Sequence, residues 1–186
     1  MARKLIVVVA CHFKNKDELC TTTLERLKYA LSLARNTQTI FMVTGPVPYQ
    51  KGGKTLGQLM KEYLLANGVP ENMISISEGV GIFSEARDVC YKISSRSNQK
   101  DFKVVSSDWY FIPGGKIWRH FARLNDLRIE TVEVYDTGGA KTRLIYLIYG
   151  ILAHLSFLFG LENKMEKFMS KLQAGRKESF KLNGCG

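Results

Sequence analysis

Residues 52–90 decide the fold, and they read GGKTLGQLMKEYLLANGVPENMISISEGVGIFSEARDVC. The apolar positions after Thr55 recur at spacings of three and four, which predicts a helix that Thr55 caps and that Asn67-Gly68 ends. Residues 73–77 alternate apolar and polar side chains, as a strand does, and a second helix is predicted from Ser84. An α-β-α unit of this kind stacks strands in parallel, with helices on both faces of the sheet.

The rest of the chain adds strands and helices to this unit. The uncharged run Leu5 to Cys11 is typical of a strand buried on both faces, so we expect it at the centre of the sheet. Helices are also predicted at Thr21–Ala34 and 116–124, and strands at Thr39–Thr44, Phe102–Ser106 and Arg128–Tyr135. The sequence therefore predicts an α/β fold: a three-layer αβα Rossmann-like sandwich with a mostly parallel sheet of about five strands. This domain spans residues 1–140, and C-terminal helices follow at 141–186.

The composition is basic, with 27 Lys and Arg against 17 Asp and Glu and a formal net charge of +10. This charge favours anionic partners such as nucleic acid, phosphorylated ligands or an acidic membrane face. However, the sequence contains no nucleic-acid-binding motif, and its basic residues are spread along the predicted helices. We therefore expect no specific nucleic-acid partner.

The cysteine pattern points to a reducing compartment. The four cysteines are Cys11, Cys20, Cys90 and Cys185, and they form no Cys-x-x-Cys pair and no sequence cluster with the three histidines. We therefore expect neither a metal site nor a redox motif. Charged residues from Lys14 onward follow the first apolar run too soon for a signal peptide. These features predict a cytoplasmic protein.

The loop before the central helix ends in Gly53-Lys54-Thr55, which resembles the end of a P-loop. A P-loop also needs a glycine five residues before its last glycine, and that position holds Pro48. Proline is rigid and has no N–H to donate to a phosphate, so we expect no P-loop ATPase or GTPase. A glycine pair with Lys54 at a helix N-terminus can still hold an anion, and this weaker prediction is retained.

In open parallel sheets, ligands bind outside the carboxyl ends of the strands, so the candidate site residues are those that follow each strand. The ligand-binding candidates are Cys11, His12, Thr44, Gly45, Gly53, Lys54, Thr55, Glu78, Gly81, Ser84, Ser106 and Ser107, with Asp136 and Gly138 after the last strand. The candidates for catalysis are Glu78, Asp108 and Tyr110. Glu78 and Asp108 could act as acid and base or grip a metal, and the alternative for Glu78 is a role as a loop cap.

Three of these candidates, Cys11, His12 and Ser84, have a simpler structural interpretation. Cys11 and His12 could be a nucleophile and its base, but neighbouring residues on an extended chain point to opposite sides. We therefore expect them not to pair, and we expect Cys11 to be buried. Ser84 is predicted to be the N-cap of its helix, with Arg87 and Asp88 on the exposed face, although the same N-terminus would also suit an anion.

Several short pieces of the chain follow the pattern of one known family. They are Arg26 with Ala30, Thr44-Gly45-Pro46, Gly68-Val69-Pro70, Ile74, Glu78 and Ser84. In their order and spacing, residues 5–135 resemble the YdcF/SanA-like family, known as domain of unknown function 218. The departures lie at the polar pocket of that family: Ala10 and Cys11 replace glycines, Thr55-Leu56-Gly57 replaces Ser-Glu-Ala, Ala86 replaces Asn, and Tyr110 and Pro113 replace His and Arg.

The resemblance implies a Rossmann-like fold and a small ligand at the C-terminal ends of the strands. That ligand would be anionic or contain a nucleoside, like the S-adenosylmethionine that one member of the family binds, or a nucleotide. The resemblance also implies a link to cell-envelope maintenance. The departures support a second hypothesis, in which the chain is a non-catalytic interaction or scaffold protein that has kept the fold. The sequence leaves open whether the protein is an enzyme.

The C-terminal segment has two interpretations. Leu144 to Leu161 runs for 18 residues without a formal charge, which is the lower limit for crossing a bilayer as a helix. The favoured interpretation is a last helix of the sandwich, covered by the sheet on one side and by the following helix or a second subunit of a homodimer on the other. The alternative is peripheral attachment to the inner face of a membrane through the basic segment 164–181.

Overall fold

The structure, a computed structural model, describes residues 4–34, 38–96, 100–135 and 140–168. Its strands are β1 (Lys4–Val8), β2 (Phe13–Asn15), β3 (Glu18–Leu19), β4 (Thr39–Val43), β5 (Ile74–Ile76), β6 (Asp101–Ser107) and β7 (Arg128–Val134). Five of them form one sheet in the order β5-β4-β1-β6-β7, and all of its pairs are parallel. The uncharged first strand is central, as predicted, and the α/β sandwich is confirmed.

Helices cover both faces of this sheet. They are α1 (Thr21–Ala34), α2 (Leu56–Ala66), α3 (Ile82–Arg96), α4 (Phe111–Leu124) and α5 (Ala140–Leu158), and residues 162–168 are also helical. Short 3-10 helices occupy Glu71–Met73 and Asp108–Tyr110. The apolar faces of α1 and α2 pack on one side of the sheet, and those of α3 and α4 pack on the other. Alternate residues of β1 serve the two cores, with Ile6 and Val8 on the α1 side and Val7 on the α3 side.

Both ends of α2 follow the local chemistry of the sequence. The Thr55 hydroxyl accepts a hydrogen bond from the Gln58 N–H, and the Gln58 side chain accepts one from the Thr55 N–H, so the two residues form a capping box. At the other end Gly68 has a φ of +82°, and the N–H groups of Gly68 and Val69 donate to Leu65 and Leu64. This is a Schellman stop, in which glycine takes the left-handed conformation at no steric cost.

The sheet order creates a switch point between β1 and β6. From β1 the chain proceeds to β4 and β5 on one side of the sheet, and it then returns to β6 and β7 on the other side. The connections therefore leave β1 and β6 in opposite directions, which opens a crevice at the carboxyl ends of these two strands. The ends of β1, β4 and β6 are the part of the sheet where a ligand site is expected.

The structure corrects three local predictions. The polar segment after β1 is not a plain loop, because β2 and β3 form an antiparallel hairpin there. The fourth helix begins at Phe111 rather than at Lys116, since Pro113 lies in its first turn, where a missing N–H costs no intrahelical bond. The third helix begins at Ile82, so Ser84 lies inside the first turn and is not the N-cap.

The C-terminal helix packs on other helices rather than on the sheet. One face of α5 contacts α4 and the 3-10 helix before it: Tyr146 meets Trp109 with ring centroids 4.7 Å apart, and Phe157 stacks on His120 at 4.0 Å. The following helical residues turn back towards α3, where Glu166 pairs with Arg87 at 2.6 Å. One face of α5 is therefore covered by α4, and not by the sheet as the favoured interpretation expected.

The outward face of α5 is apolar and exposed within the described residues. Its exposed large side chains are Leu144, Leu147, Ile148, Ile151, Leu152, Leu155 and Leu158. No helix in the described ranges has both the length and the apolar character needed to cross a membrane. The predicted dimer contact stays a prediction, and so does the membrane contact, most of whose basic segment lies outside the described residues.

Candidate functional site

Arg26 occupies the switch point. This α1 residue is fully buried, and its guanidinium connects the two central strands: Nη1 donates to the Val9 carbonyl at 2.8 Å, and Nη2 donates to Ser107 Oγ at 2.8 Å. The rings of Trp109 and Tyr110 lie 5.6 and 6.0 Å from the guanidinium carbon. A buried cation needs such partners because it has lost its hydration. Arg26 thus holds the ends of β1 and β6 together. It has no exposed surface with which it could contact a ligand.

Glu85 is the titratable group beside this cation. It lies in the first turns of α3 and is partly buried. The Thr44 hydroxyl donates a hydrogen bond to its carboxyl and accepts one from the Ala10 N–H at 2.9 Å. Burial raises the pKa of Glu85 to about 7, and it outweighs the opposing effects of Thr44 and the Arg26 charge. A carboxyl with such a pKa exchanges protons near neutrality, which is the property of a general acid or base.

This pKa predicts how stability depends on pH. The folded state holds the Glu85 proton up to about pH 7, whereas the unfolded state releases it near pH 4.5. The contribution of Glu85 is therefore fully present below pH 4.5 and is lost as the pH rises through about 7. From the two pKa values and the partial exposure of Glu85, we expect Glu85→Gln to stabilise the protein by about 2 kcal/mol at alkaline pH. Urea unfolding at several pH values measures this difference.

The matched control is Glu78→Gln, which changes a carboxyl whose side chain is 86% exposed. Its curve of unfolding free energy against pH should run parallel to that of the unmodified chain. Glu85→Gln should instead coincide with the unmodified chain near pH 4 and rise above it between pH 5 and 8. If all three curves run parallel, Glu85 does not hold its proton in the folded state.

Polar groups from the end of β6 complete the site. Ser106 and Ser107 are both fully buried and face opposite sides of the sheet, and among the described residues the Ser106 hydroxyl has no hydrogen-bond partner. Asp108 accepts a hydrogen bond from Arg143 at 2.8 Å through Oδ2, while its Oδ1 is buried without a partner. Tyr110 accepts a hydrogen bond from the Trp118 indole at 3.2 Å. Burial, followed by the nearby Glu85 charge, raises the Tyr110 pKa well above its usual value, so this phenol stays protonated.

Cys11 and His12 do pair, contrary to the expectation from the sequence. The Sγ of Cys11 lies 2.9 Å from Nδ1 of His12, and Cys20 joins them, so that one ligand atom of each residue lies within 4.8 Å of the other two. Opposite-facing neighbours are a property of extended strands, and both residues lie beyond the end of β1. A hydrogen bond from the Cys11 thiol, together with weaker bonds from His12 and Thr23, lowers the Cys20 pKa in spite of burial. The predictions that Cys11 and His12 do not pair and that Cys11 is buried are therefore wrong, since Cys11 is partly exposed.

The proposed acid-base pair of Glu78 and Asp108 does not form. Glu78 follows β5, whereas Asp108 follows β6, and the order β5-β4-β1-β6 puts them three strand spacings apart. At about 4.8 Å per spacing, this separation is roughly 14 Å. Glu78 points into solvent near Lys92, and Asp88 rather than Glu78 accepts the loop hydrogen bonds, from Ser77 Oγ and the Glu78 N–H. The prediction that Asp88 lies on an exposed face is therefore also wrong, and Arg87 is partly buried against Glu166.

The groups of the Gly53-Lys54-Thr55 turn that could hold an anion already have partners within the protein. Its capping box uses the Thr55 and Gln58 N–H groups, which an anion at the start of α2 would need. Lys54 pairs with Glu62 at 2.8 Å. Gly45 has a structural role, because its φ is +93° and an added Cβ would lie 2.7 Å from the Cβ of Leu56. Gly81 directly precedes α3 with a φ of +83°, and Asp136 and Gly138 lie outside the described residues.

Four residues of the site are not among the candidates predicted from the sequence, namely Arg26, Glu85, Cys20 and Arg143. They lie on helices or in a helix cap, whereas the candidates were chosen for their place after a strand. A signal for Arg26 was present, because an arginine among the apolar positions of an amphipathic helix indicates a buried charge with a partner.

The fold and the candidate site together describe a parallel α/β protein. Its candidate site, at the strand ends, combines two carboxyl groups with a buried arginine. In comparisons with family models, characterised proteins and solved structures, no match was found.

Proposed function

We propose that the chain binds a small nucleoside-containing ligand of the S-adenosylmethionine type at the ends of β1, β4 and β6. The observation that supports this is the pair of carboxyl groups at the switch point, Glu85 and Asp108, one with a raised pKa and one with a buried oxygen that lacks a protein partner. Carboxylate oxygens accept hydrogen bonds from ribose hydroxyls and amino groups, and acidic residues have this role in dinucleotide sites of parallel sheets. The resemblance to the YdcF/SanA-like family supports the same ligand class.

The distribution of charge favours a ligand with donor groups over a simple anion. Arg26 is fully buried, and Lys54, which the sequence offered as an anion contact, is paired with Glu62. Arg143 is 41% exposed at the rim, but it already contacts Asp108. An anionic ligand would therefore have to displace an existing ion pair, whereas a hydroxyl or an amine adds a partner to Asp108 and Glu85. The nucleoside part of the ligand is the part that the site recognises.

Thermal unfolding tests this proposal. At a concentration of 100 times its dissociation constant, a ligand stabilises the native state by about 2.7 kcal/mol, and each kcal/mol raises the midpoint by about 2–4 °C for a chain of this size. We therefore expect S-adenosylmethionine at about 1 mM to raise the midpoint by several degrees if its dissociation constant is about 10 μM. Asp108→Asn and Glu85→Gln should remove most of the shift, and Glu25→Gln, on the exposed face of α1, should retain it.

The second candidate is a scaffold protein without a ligand, and one observation favours it. The floor of the site is closed, because Thr44, Ser106 and Ser107 have no exposed surface and Arg26 fills the crevice beneath them. In that case neither S-adenosylmethionine nor nucleotides or sugar nucleotides at millimolar concentration would shift the midpoint. A shift of equal size in the Asp108→Asn and Glu85→Gln variants would place the ligand elsewhere and would also contradict the proposed site.

A further inference from the structure

The β2-β3 hairpin brings three soft donor residues together beside β1. Cys11 and His12 leave the end of β1, the hairpin reverses the chain, and the Cys20 N–H then donates to the His12 carbonyl at 3.4 Å. Cys20 therefore arrives opposite His12 and immediately precedes α1. The sequence spacing, with seven residues between His12 and Cys20, does not indicate a cluster, because only the hairpin closes the gap.

A buried threonine holds both cysteines in place. Thr23 is fully buried, and its hydroxyl accepts a hydrogen bond from the Cys11 N–H at 3.1 Å and lies 3.3 Å from the Cys20 sulfur. The Thr23 N–H also donates to the Cys20 sulfur at 3.5 Å. Groups that fix the ligand residues from outside are a regular part of protein metal sites. Here one residue of α1 holds the backbone of Cys11 and the sulfur of Cys20.

We propose that Cys11, His12 and Cys20 form a zinc site, with the two sulfurs and an imidazole nitrogen as ligands and a fourth position open to water or a substrate group. One ligand atom of each residue already lies within 4.8 Å of the other two, and zinc bonds of about 2.0–2.3 Å place the ligand atoms of a tetrahedral ion about 3.3–3.8 Å from one another. Thiolates and imidazole suit Zn²⁺, whereas Mg²⁺ and Ca²⁺ need oxygen ligands. Each thiol releases its proton to solvent when it binds the metal.

The donor atoms of this cluster distinguish it from the carboxyl site, although the two sites are neighbours. Cys11 follows Ala10, whose N–H donates to Thr44, so the two sites share the end of β1. The donors differ, however, since the carboxyl site offers oxygen and the cluster offers sulfur and nitrogen. Zn²⁺ binding can therefore be tested without any nucleoside, and failure of one proposal leaves the other standing.

Cobalt titration of the full chain tests the site. The background carries Cys185→Ser, so that the remaining thiols are Cys11, Cys20 and Cys90, and a phosphine reductant keeps them reduced. We expect one equivalent of Co²⁺ to give a thiolate charge-transfer band and the visible bands of a tetrahedral ion, and Zn²⁺ to displace it. Cys11→Ser, His12→Gln and Cys20→Ser should each weaken Zn²⁺ binding by more than about 100-fold, because even groups outside the ligand set cost 10–100-fold.

The matched control is Cys90→Ala, which removes a buried thiol of α3 outside the cluster and should leave the cobalt spectrum unchanged. Cys20→Ser keeps a residue suited to cap α1, so this variant should fold, and circular dichroism verifies it. The proposal is overturned if equimolar Co²⁺ gives no thiolate band, or if the three cluster variants bind Zn²⁺ as tightly as the background. A Cys11–Cys20 disulfide in air without a cobalt band after reduction would identify a redox pair instead.

Discussion

Replacing Arg26 by methionine should lower the free energy of unfolding by about 3–5 kcal/mol, the usual cost of removing one partner from a buried ionic network. The change leaves the Val9 carbonyl and the Ser107 hydroxyl buried without their donor. It also removes the cation that holds the Glu85 pKa down against the effect of burial. The Glu85 pKa should therefore rise further, so the loss of stability should be larger at pH 8 than at pH 5. Urea unfolding at both pH values measures it.

Two further variants separate the parts of this effect. Adding Glu85→Gln to Arg26→Met should recover the part of the loss that depends on pH and leave the rest. Lys28→Met removes an exposed cation from the same helix and should leave the free energy of unfolding close to that of the unmodified chain. A loss below 1 kcal/mol for Arg26→Met would show that the guanidinium does not hold β1 and β6 together.

The parts of the fold that the sequence predicted are those with strong local signals. The uncharged run of β1 indicates a strand covered on both faces, and the cap and stop of α2 are each complete within a few residues. The hairpin was missed because β2 and β3 have three and two residues and no apolar alternation. The start of α4 lies at Phe111 and not at Lys116, because Pro113 and the two glycines after it are typical of a loop in the sequence, although a proline is tolerated in the first turn of a helix.

The site was predicted only in outline, for a physical reason. The rule that ligands bind at strand ends directs attention to Thr44, Ser106 and Asp108, but it does not indicate how deeply each side chain is buried, and the first two are fully buried. Arg26 and Glu85 lie on helices, and their side chains lie at the same carboxyl edge of the sheet. A rule based on strand ends does not include residues of helices. The cysteine cluster depends on a hairpin whose two strands have only five residues in all, so its members could not be brought together from sequence spacing.

Deleting Leu144 to Gly186 should abolish cooperative folding. The deletion removes most of α5. Trp109 then loses its contact with Tyr146, and Phe83 and His120 lose their contacts with Phe157. Large side chains of this core are then exposed to water, and the loss of one large aromatic side chain from a core costs about 3–5 kcal/mol. A domain has a total stability of only about 5–15 kcal/mol, so the loss of two such side chains removes a large part of it. Near-ultraviolet circular dichroism and dye binding to exposed apolar surface report the loss of fixed packing.

Single substitutions on α5 show which face of the helix is responsible. Phe157→Ala should lower the free energy of unfolding by about 3 kcal/mol, because this ring stacks on His120 at 4.0 Å and contacts Phe83 and Phe121. Leu158→Ala, at the next position, should change it by less than about 0.5 kcal/mol, since Leu158 is 65% exposed on the outward face. If the truncated chain unfolds cooperatively at the same urea concentration as the full chain, α5 is an appendage and its contacts with α4 do not stabilise the domain. If both substitutions destabilise equally, the outward face is also covered in solution, and the oligomeric state of the two variants then shows whether a second copy covers it.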